Sequence, residues 1–290
     1  MNMFPKAGGW HRAFQDLIRV FNRNKTSWVG LALLLFMVLL AALAPWLSPH
    51  NPIEQNIIDR LEPSSAEYLL GTDQYGRDIL SRILWGARIS LSVGTISVLL
   101  GMAVGTVLGI FAGYKGKYWD YLIMAVMDVF MAIPTLLMGL MVVAVLGPNL
   151  VNLTLAIALT VAPRFARIAR APTISIKNRD FVEAGRAMGF SDLRIMAGHI
   201  FPNILGELVV MGSLWVATAV RIEASLSFIG LGVKPPTPTW GGMIREGFQT
   251  ILSEPWVSIY PGIFILITVL AFNMLGDGLR DAIDPKLRNS

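Results

Sequence analysis

Ionisable side chains inside long apolar segments are the residues of this sequence that could do chemistry. Asp120 and Asp128 lie near the start of one apolar segment, and Arg221 and Glu223 lie late in another. Charged groups at membrane depth are costly, and acids placed there often form proton relays. Pairing with an arginine at the membrane edge relieves the same cost, so a proton relay and a structural ion pair both remain open for Asp120 and Asp128.

Other polar groups of the sequence give no pattern for catalysis. His11, His50 and His199 are scattered and lack the H-E-x-x-H spacing of a zinc hydrolase, and the chain has no cysteine. The glycines and lysines of residues 113–117 do not have the spacing of a nucleotide-binding P-loop. We therefore predict no catalytic residue, no metal site and no cofactor bound by this chain.

The segment from Gly71 to Arg82 concentrates charge before an apolar region. Asp73, Arg77 and Asp78 could form a phosphate or metal loop, or a salt-bridged start of a short interfacial helix. Surface ion pairs of this kind are common and cost little to form. The sequence favours the interfacial helix.

Composition places the chain in a membrane. Hydrophobic residues make up 54% of the 290 residues and charged residues only 15%, whereas about 25% is usual for soluble domains. The net charge is +5, but the basic residues flank apolar segments and form no patch interleaved with aromatic residues, so membrane lipid and no nucleic acid is the expected partner.

Six apolar segments predict an all-α polytopic membrane protein with about six transmembrane helices. The clearest segment, Trp28–Leu47, has 20 residues without a charge, enough for a helix of about 30 Å. Pro134 is expected to bend the third helix. The six segments are 28–47, 89–113, 121–146, 150 to about 168, about 203–232 and 256–275.

Charge asymmetry predicts the orientation and hence the domains. With the N-terminus in the cytoplasm, the cytoplasmic segments hold 17 of the 24 Lys and Arg residues, as the positive-inside rule requires. The predicted parts are a cytoplasmic N-terminal segment 1–27, helix 28–47, an external loop 48–88, a core 89–275 with a cytoplasmic loop 164–202, and a cytoplasmic tail 276–290.

Small residues line one face of the second helix, where glycine recurs every four residues from Gly101 to Gly113. Such a face allows another helix to approach closely. The neighbour is either another helix of this chain or a helix of a partner subunit.

A charged segment between two apolar regions, Glu183–Pro202, has the pattern of a docking loop. Acids at Asp180 and Glu183 favour a helix start and Gly189 favours its end, which predicts a short helix over 180–188. A second helical stretch, 192–200, should end near Pro202. A solvated linker is the alternative.

This segment resembles the E-A-A loop by which ABC importer permeases bind their ATPase subunits. Glu183 and Ala184 are followed by Gly185 in place of the second alanine, by Gly189 at the expected spacing, and by Phe201 and Pro202. His199 replaces the usual isoleucine and Phe201 the usual leucine. The resemblance implies that these residues couple the chain to an ATPase.

The resemblance extends over almost the whole chain and is specific to one subgroup. The segments 23–25, 71–91, 223–232, 235–244 and 270–288 resemble the dipeptide and oligopeptide importer permeases of the C-type half. This implies the type I ABC importer fold, a second permease subunit, two cytoplasmic ATPase subunits that use ATP, an external solute-binding protein, and a bacterial inner membrane location. A stand-alone proton-coupled secondary transporter is the alternative function.

Arg221 and Glu223 are the expected residues of the translocation path. Two residues of separation places them on different helix faces, so at least one should face protein or water. Glu223 is predicted either to border the path near its outer end or to form an ion pair between helices. The transported substrate is not predicted by the sequence.

Overall fold

A computed structural model describes residues 25–283, which form ten α-helices and no β-strand. The helices are α1 Lys25–Leu47, α2 Ile79–Lys115, α3 Lys117–Ala132, α4 Thr135–Leu146, α5 Leu150–Ile176, α6 Asp180–Ala187, α7 Asp192–Ile195, α8 Phe201–Phe228, α9 Trp240–Gly247 and α10 Trp256–Ile283. The predicted terminal segments lie partly outside the described residues.

Five of the described helical segments are long and apolar enough to cross a membrane, and a bent pair brings the number to six. The pair is α3 and α4, which meet at 92°. The bend falls at Ile133 and Pro134, where Ile133 has an extended backbone because the ring of Pro134 disfavours a helical residue before it. The predicted bend at Pro134 and the predicted all-helical membrane fold are confirmed.

The second helix starts earlier than predicted. Asp78 caps α2 by accepting hydrogen bonds from the backbone N–H groups of Leu80 and Ser81, so the helix begins at Ile79 and not at Ile89. The predicted short interfacial helix is therefore wrong: the charged block opens a helix of 37 residues.

The predicted ion pairs in this block do form, but they are buried. Arg77 contacts Asp73 at 2.7 Å and Glu246 at 2.5 Å, and Arg82 contacts Glu246 at 2.9 Å. The side chains of Arg77, Asp73 and Arg82 are only 2–4% exposed. Glu246 lies on α9, so this cluster fastens the N-terminal end of α2 to a helix far away in the sequence.

The glycine face of α2 packs against α5 of the same chain. A Cβ atom added at Gly101 would lie 2.8 Å from the carbonyl oxygen of Ala158, and one at Gly113 would lie 2.9 Å from that of Arg170. At Gly105 and Gly109 it would overlap backbone atoms of Ala162 and Ala166. Of the two possibilities for this face, packing within the chain is the one observed.

We predict that replacing Gly105 or Gly109 with alanine lowers thermal stability, because α2 and α5 must separate to admit a methyl group. Overpacking of this kind costs about 1–3 kcal/mol. Gly262→Ala is the matched control, since Gly262 is also helical but a Cβ atom added there would meet no side chain and no other helix within 4 Å among the described residues. Size-exclusion profiles after heating in detergent measure the effect, and equal stability of all three variants would contradict this packing.

Candidate functional site

The short helix α6 lies in the cytoplasmic loop of the predicted topology and carries the candidate docking residues. It spans Asp180–Ala187, close to the predicted 180–188. Its first turn contains Asp180 and Glu183, whose negative charges favour the positive end of the helix dipole. The helix is thus set by local sequence signals.

The end of α6 is closed by a Schellman motif. Gly189 has φ of +77°, a left-handed conformation that glycine adopts without strain. The N–H of Gly189 donates to the carbonyl of Arg186 at 2.9 Å, and the N–H of Phe190 donates to that of Gly185 at 3.0 Å. The predicted role of Gly189 in ending this helix is confirmed.

One face of α6 packs against the rest of the protein, and the opposite face is exposed. Val182 is fully buried, and Gly185 faces the ring of Phe190. By contrast, Glu183 and Ala184 are exposed. Two apolar side chains that follow α6 in the sequence are also exposed, Met188 at 66% and Leu193 at 73%.

The structure accounts for both departures from the E-A-A pattern. A Cβ atom at Gly185 would lie 3.4 Å from the ring of Phe190, which is an ordinary contact, so alanine and glycine both fit. His199 lies against two aromatic rings, with centroid distances of 6.5 Å to Phe181 and 5.6 Å to Phe190. A flat imidazole thus occupies a site where the loop pattern has an aliphatic side chain.

Pro202 does not end the helix, contrary to the prediction. Residues Met196–Ile200 form a π-helical turn, and the N–H of Phe201 donates to the carbonyl of Met196, five residues earlier. Since proline lacks an N–H and its ring clashes with the carbonyl four residues before it, a wider turn lets the chain pass Pro202 without a break. The helix then continues as α8 to Phe228.

The structure separates Phe201 from the other candidate docking residues. Phe201 is 38% exposed and lies in an apolar cleft of about 500 Å³ between α2 and the start of α8, together with Leu193 and Met196. Glu183, Ala184, Gly185 and Gly189 instead belong to α6 and its end. The predicted residues therefore form a helix with an adjoining cleft.

Charged and aromatic contacts connect α6 and α7 to the end of α2. Tyr114 donates its hydroxyl hydrogen to Asp192 at 2.8 Å, and the ammonium group of Lys115 contacts the same carboxylate at 2.6 Å. The guanidinium of Arg186, on α6, lies 5.3 Å from the ring centroid of Tyr114. Sequence reasoning missed Tyr114 and Asp192, because they are 78 residues apart.

The acids that could form a proton relay are paired with arginines of α5. Asp120 accepts from Arg170 at 2.6 Å, and Asp128 accepts from Arg167 at 2.5 Å. Of the two possibilities for these acids, the ion pair is the one observed. Both pairs join α3 to α5, so their role in the structure is to hold helices together.

The two candidate residues of the translocation path lie on different faces of α8, as predicted. Arg221 is exposed and donates to the hydroxyl of Thr218 at 3.1 Å. Glu223 is fully buried and accepts a hydrogen bond from Ser227 at 2.7 Å. Within residues 25–283 Glu223 has no basic partner, so the predicted ion pair between helices is not formed there.

Comparison with known proteins identifies the class of protein that this fold and loop define. Residues 105–289 match the family described as binding-protein-dependent transport system inner membrane component, and residues 13–63 match the N-terminal TM domain of oligopeptide transport permease C. The chain belongs to this family and is a C-type permease subunit of the dipeptide and oligopeptide ABC importers. It is a multi-pass membrane transport component and not an enzyme.

Relatives of similar length support the assignment. The chain is 42% identical to the dipeptide transport system permease protein DppC of Alkalihalophilus pseudofirmus, over 99% of this chain and 93% of the relative. It is 44% identical to DppC of Haemophilus influenzae, over 94% and 95% of the two chains. It is 45% identical to the glutathione transport system permease protein GsiD of Pectobacterium atrosepticum, over 90% and 88%.

A solved structure has the same fold. An inward-facing form of the MetNI methionine ABC transporter matches with a TM-score of 0.57 at 18% identity, covering 70% of this chain and 97% of that chain. At this identity the match supports the type I importer fold alone. As a permease of an ABC importer, the chain works with ATPase and substrate-binding partners; neither the ion pairs nor the relatives support a proton-coupled carrier.

We predict that Gly189→Val loosens the end of α6. A β-branched residue in the left-handed conformation costs roughly 1–2 kcal/mol, whereas Gly189→Asn should cost less. Hydrogen exchange at the amides of residues 186–190 should become faster in the valine variant. Gly198→Ala is the control, because Gly198 also faces open space but has no positive φ; equal exchange in both variants would contradict the Schellman motif.

Proposed function

We propose that this chain forms half of the translocation path of an ATP-driven importer for peptides or similar small solutes. A second permease subunit supplies the other half, two cytoplasmic ATPase subunits use the ATP, and an external solute-binding protein delivers the substrate. The substrate class rests on the relatives, which are named for dipeptides and glutathione. The chain itself binds no cofactor in this proposal.

The docking surface for an ATPase subunit is the exposed face of α6 with its adjoining cleft. In this proposal Glu183 and Ala184 contact the ATPase subunit. Gly185 and Gly189 set the packing and the end of the helix. Phe201 and Pro202 extend the docking surface to the start of α8. The single observation that supports this best is that α6 has an exposed face and also contacts the transmembrane core. Val182 of α6 is buried in the core, and Asp192 of the next helix accepts a hydrogen bond from Tyr114 of α2.

The coupling mechanism follows from these connections. Closure of the ATPases on ATP would displace α6, and the displacement would reach α5 and α7 at its two ends. It would reach α2 through the contacts of Arg186 and Asp192 with Tyr114. The helix bundle must then have two states that ATP and substrate favour differently.

The path residues are proposed with different roles. Arg221 is exposed on α8, and this exposure supports a role on the border of a path between two permease subunits. Glu223 is buried in this conformation, so it can border the path only if the helices around it separate. Its hydrogen bond to Ser227 otherwise serves to position the outer end of α8.

Charge reversal at the contact face tests the docking surface. We expect Glu183→Lys to lower ATP-dependent peptide uptake by about tenfold, equivalent to about 1.4 kcal/mol, because Glu183 is exposed on the contact face and makes no ion pair within residues 25–283. Proteoliposomes containing the whole importer give the uptake rate. Insertion into the membrane should persist.

Glu54→Lys is the matched control for this experiment, since Glu54 is also exposed but lies in the loop before α2. Unchanged uptake and unchanged ATPase copurification in Glu183→Lys would remove the docking assignment. Uptake lost equally in both variants would show a general effect of charge.

The proposed orientation places both termini in the cytoplasm, and the absence of cysteine makes it simple to test. Single cysteines at Glu67 and Thr237, which are exposed, should react with a membrane-impermeant thiol reagent added outside. A cysteine at Ser191, also exposed, should react only after the membrane is permeabilised. External labelling at Ser191 would reverse the topology.

A further inference from the structure

A polar cavity opens beside the buried ion-pair cluster, on the opposite end of the bundle from α6. Its volume is about 260 Å³, and it lies between the segment before α2, the loop 230–239 and α9. Arg82 and Glu246 form part of its wall, and Lys234 and Arg245 are two further lining residues. The docking proposal uses none of these groups.

The charges of the cavity do not cancel. Arg77 and Arg82 are balanced by Asp73 and Glu246 in the buried cluster. The side chains of Lys234 and Arg245 make no hydrogen bond or ion pair within residues 25–283 and are both exposed. The cavity thus has two positive charges more than its own acids neutralise, which favours an anion.

Arg245 lies close to the backbone of Gly230. Its guanidinium lies against Gly230, where an added Cβ atom would be only 2.6 Å from a terminal nitrogen of Arg245. Gly230 has φ of +91°, a conformation that glycine adopts at little cost. The loop therefore leaves room for this arginine, whose planar fork suits carboxylate recognition.

Gln74 adds an amide group to the lining of the cavity. Its side-chain oxygen has almost no accessible surface and no hydrogen-bond partner within residues 25–283, so a ligand would meet it only if the side chain turned. The exposed cations are therefore the groups that select the ligand. A peptide supplies the matching anion as its terminal carboxylate.

We propose that this cavity binds the free carboxylate of a small peptide through Lys234 and Arg245. The proposal rests on the proposed import of peptide-like solutes and adds a site within this subunit, on the side from which substrate arrives. The volume of the cavity suits a molecule of dipeptide size better than a long chain. Recognition of the carboxylate would select for peptides with a free C-terminus.

Direct binding to the assembled importer in lipid nanodiscs, without the solute-binding protein, tests this site. The probes are N-acetyl-alanyl-alanine and its C-terminal amide, which differ in the carboxylate alone. We expect the acid to bind at least about tenfold more tightly than the amide, equivalent to about 1.4 kcal/mol, because hydrogen bonds to a charged group are stronger than those to a neutral one. Equal affinity for the two probes would overturn the proposal.

Variants locate the binding to the cavity. The double substitution Lys234→Gln and Arg245→Gln should reduce binding of the acid to the level of the amide, and Gly230→Ala should weaken it by displacing Arg245. Arg60→Gln removes an exposed base outside the cavity and should leave the affinity unchanged. Unchanged binding in the double variant, with the complex still assembled by size exclusion, would contradict the assignment.

Three further outcomes separate the carboxylate site from a surface for protein docking and from the proposed function. If the double variant binds the acid normally but loses its solute-binding protein, the two cations serve protein docking and the proposal fails. If the importer takes up peptides while the acid and the amide bind equally, the carboxylate site fails and the proposed function stands. If the cavity binds the carboxylate but the assembled complex transports no peptide, the carboxylate site stands and the proposed function fails.

Discussion

The close approach of α2 and α5 is the constraint on which the rest of the fold depends. Four glycines give α2 a face without side chains, and α5 packs there almost backbone to backbone. At this separation a shift of one helix along the other would create clashes, so their register is fixed. The ammonium group of Lys177 donates to the carbonyl of Gly113 at 2.7 Å and fastens the C-terminal end of α2 to the end of α5.

That fixed pair gives α6 a definite position. α5 ends at Ile176 and α6 begins at Asp180, so the short connection holds one end of α6 near the C-terminal end of α2. Asp192 then joins the other end to Tyr114 and Lys115. Lys115 and Asp192 are 38% and 51% exposed, and such pairs contribute little stability. Their contribution is to position α7.

Local signals in the sequence predict the elements well, whereas long-range contacts are not predictable from it. The range of α6 and the left-handed Gly189 follow from a few adjacent residues. The predicted start of α2 is too late because Arg82 and Arg88 interrupt the apolar run, and the partner that allows Arg82 to be buried, Glu246, is 164 residues away. The predicted helix end at Pro202 is wrong because sequence patterns do not show a switch to hydrogen bonds five residues apart.

The two ends of α2 are held by electrostatic contacts of different kinds. At its N-terminal end Arg77, Arg82 and Asp73 are buried, and both arginines contact the partly buried Glu246. Removal of one partner from such a cluster leaves an uncompensated charge at a cost of several kcal/mol. At its C-terminal end the contacts of Lys115 are exposed, and water can replace them at little cost. A displacement of α6 by an ATPase would therefore rearrange the contacts at the C-terminal end of α2 first, while the buried cluster keeps the other end in place.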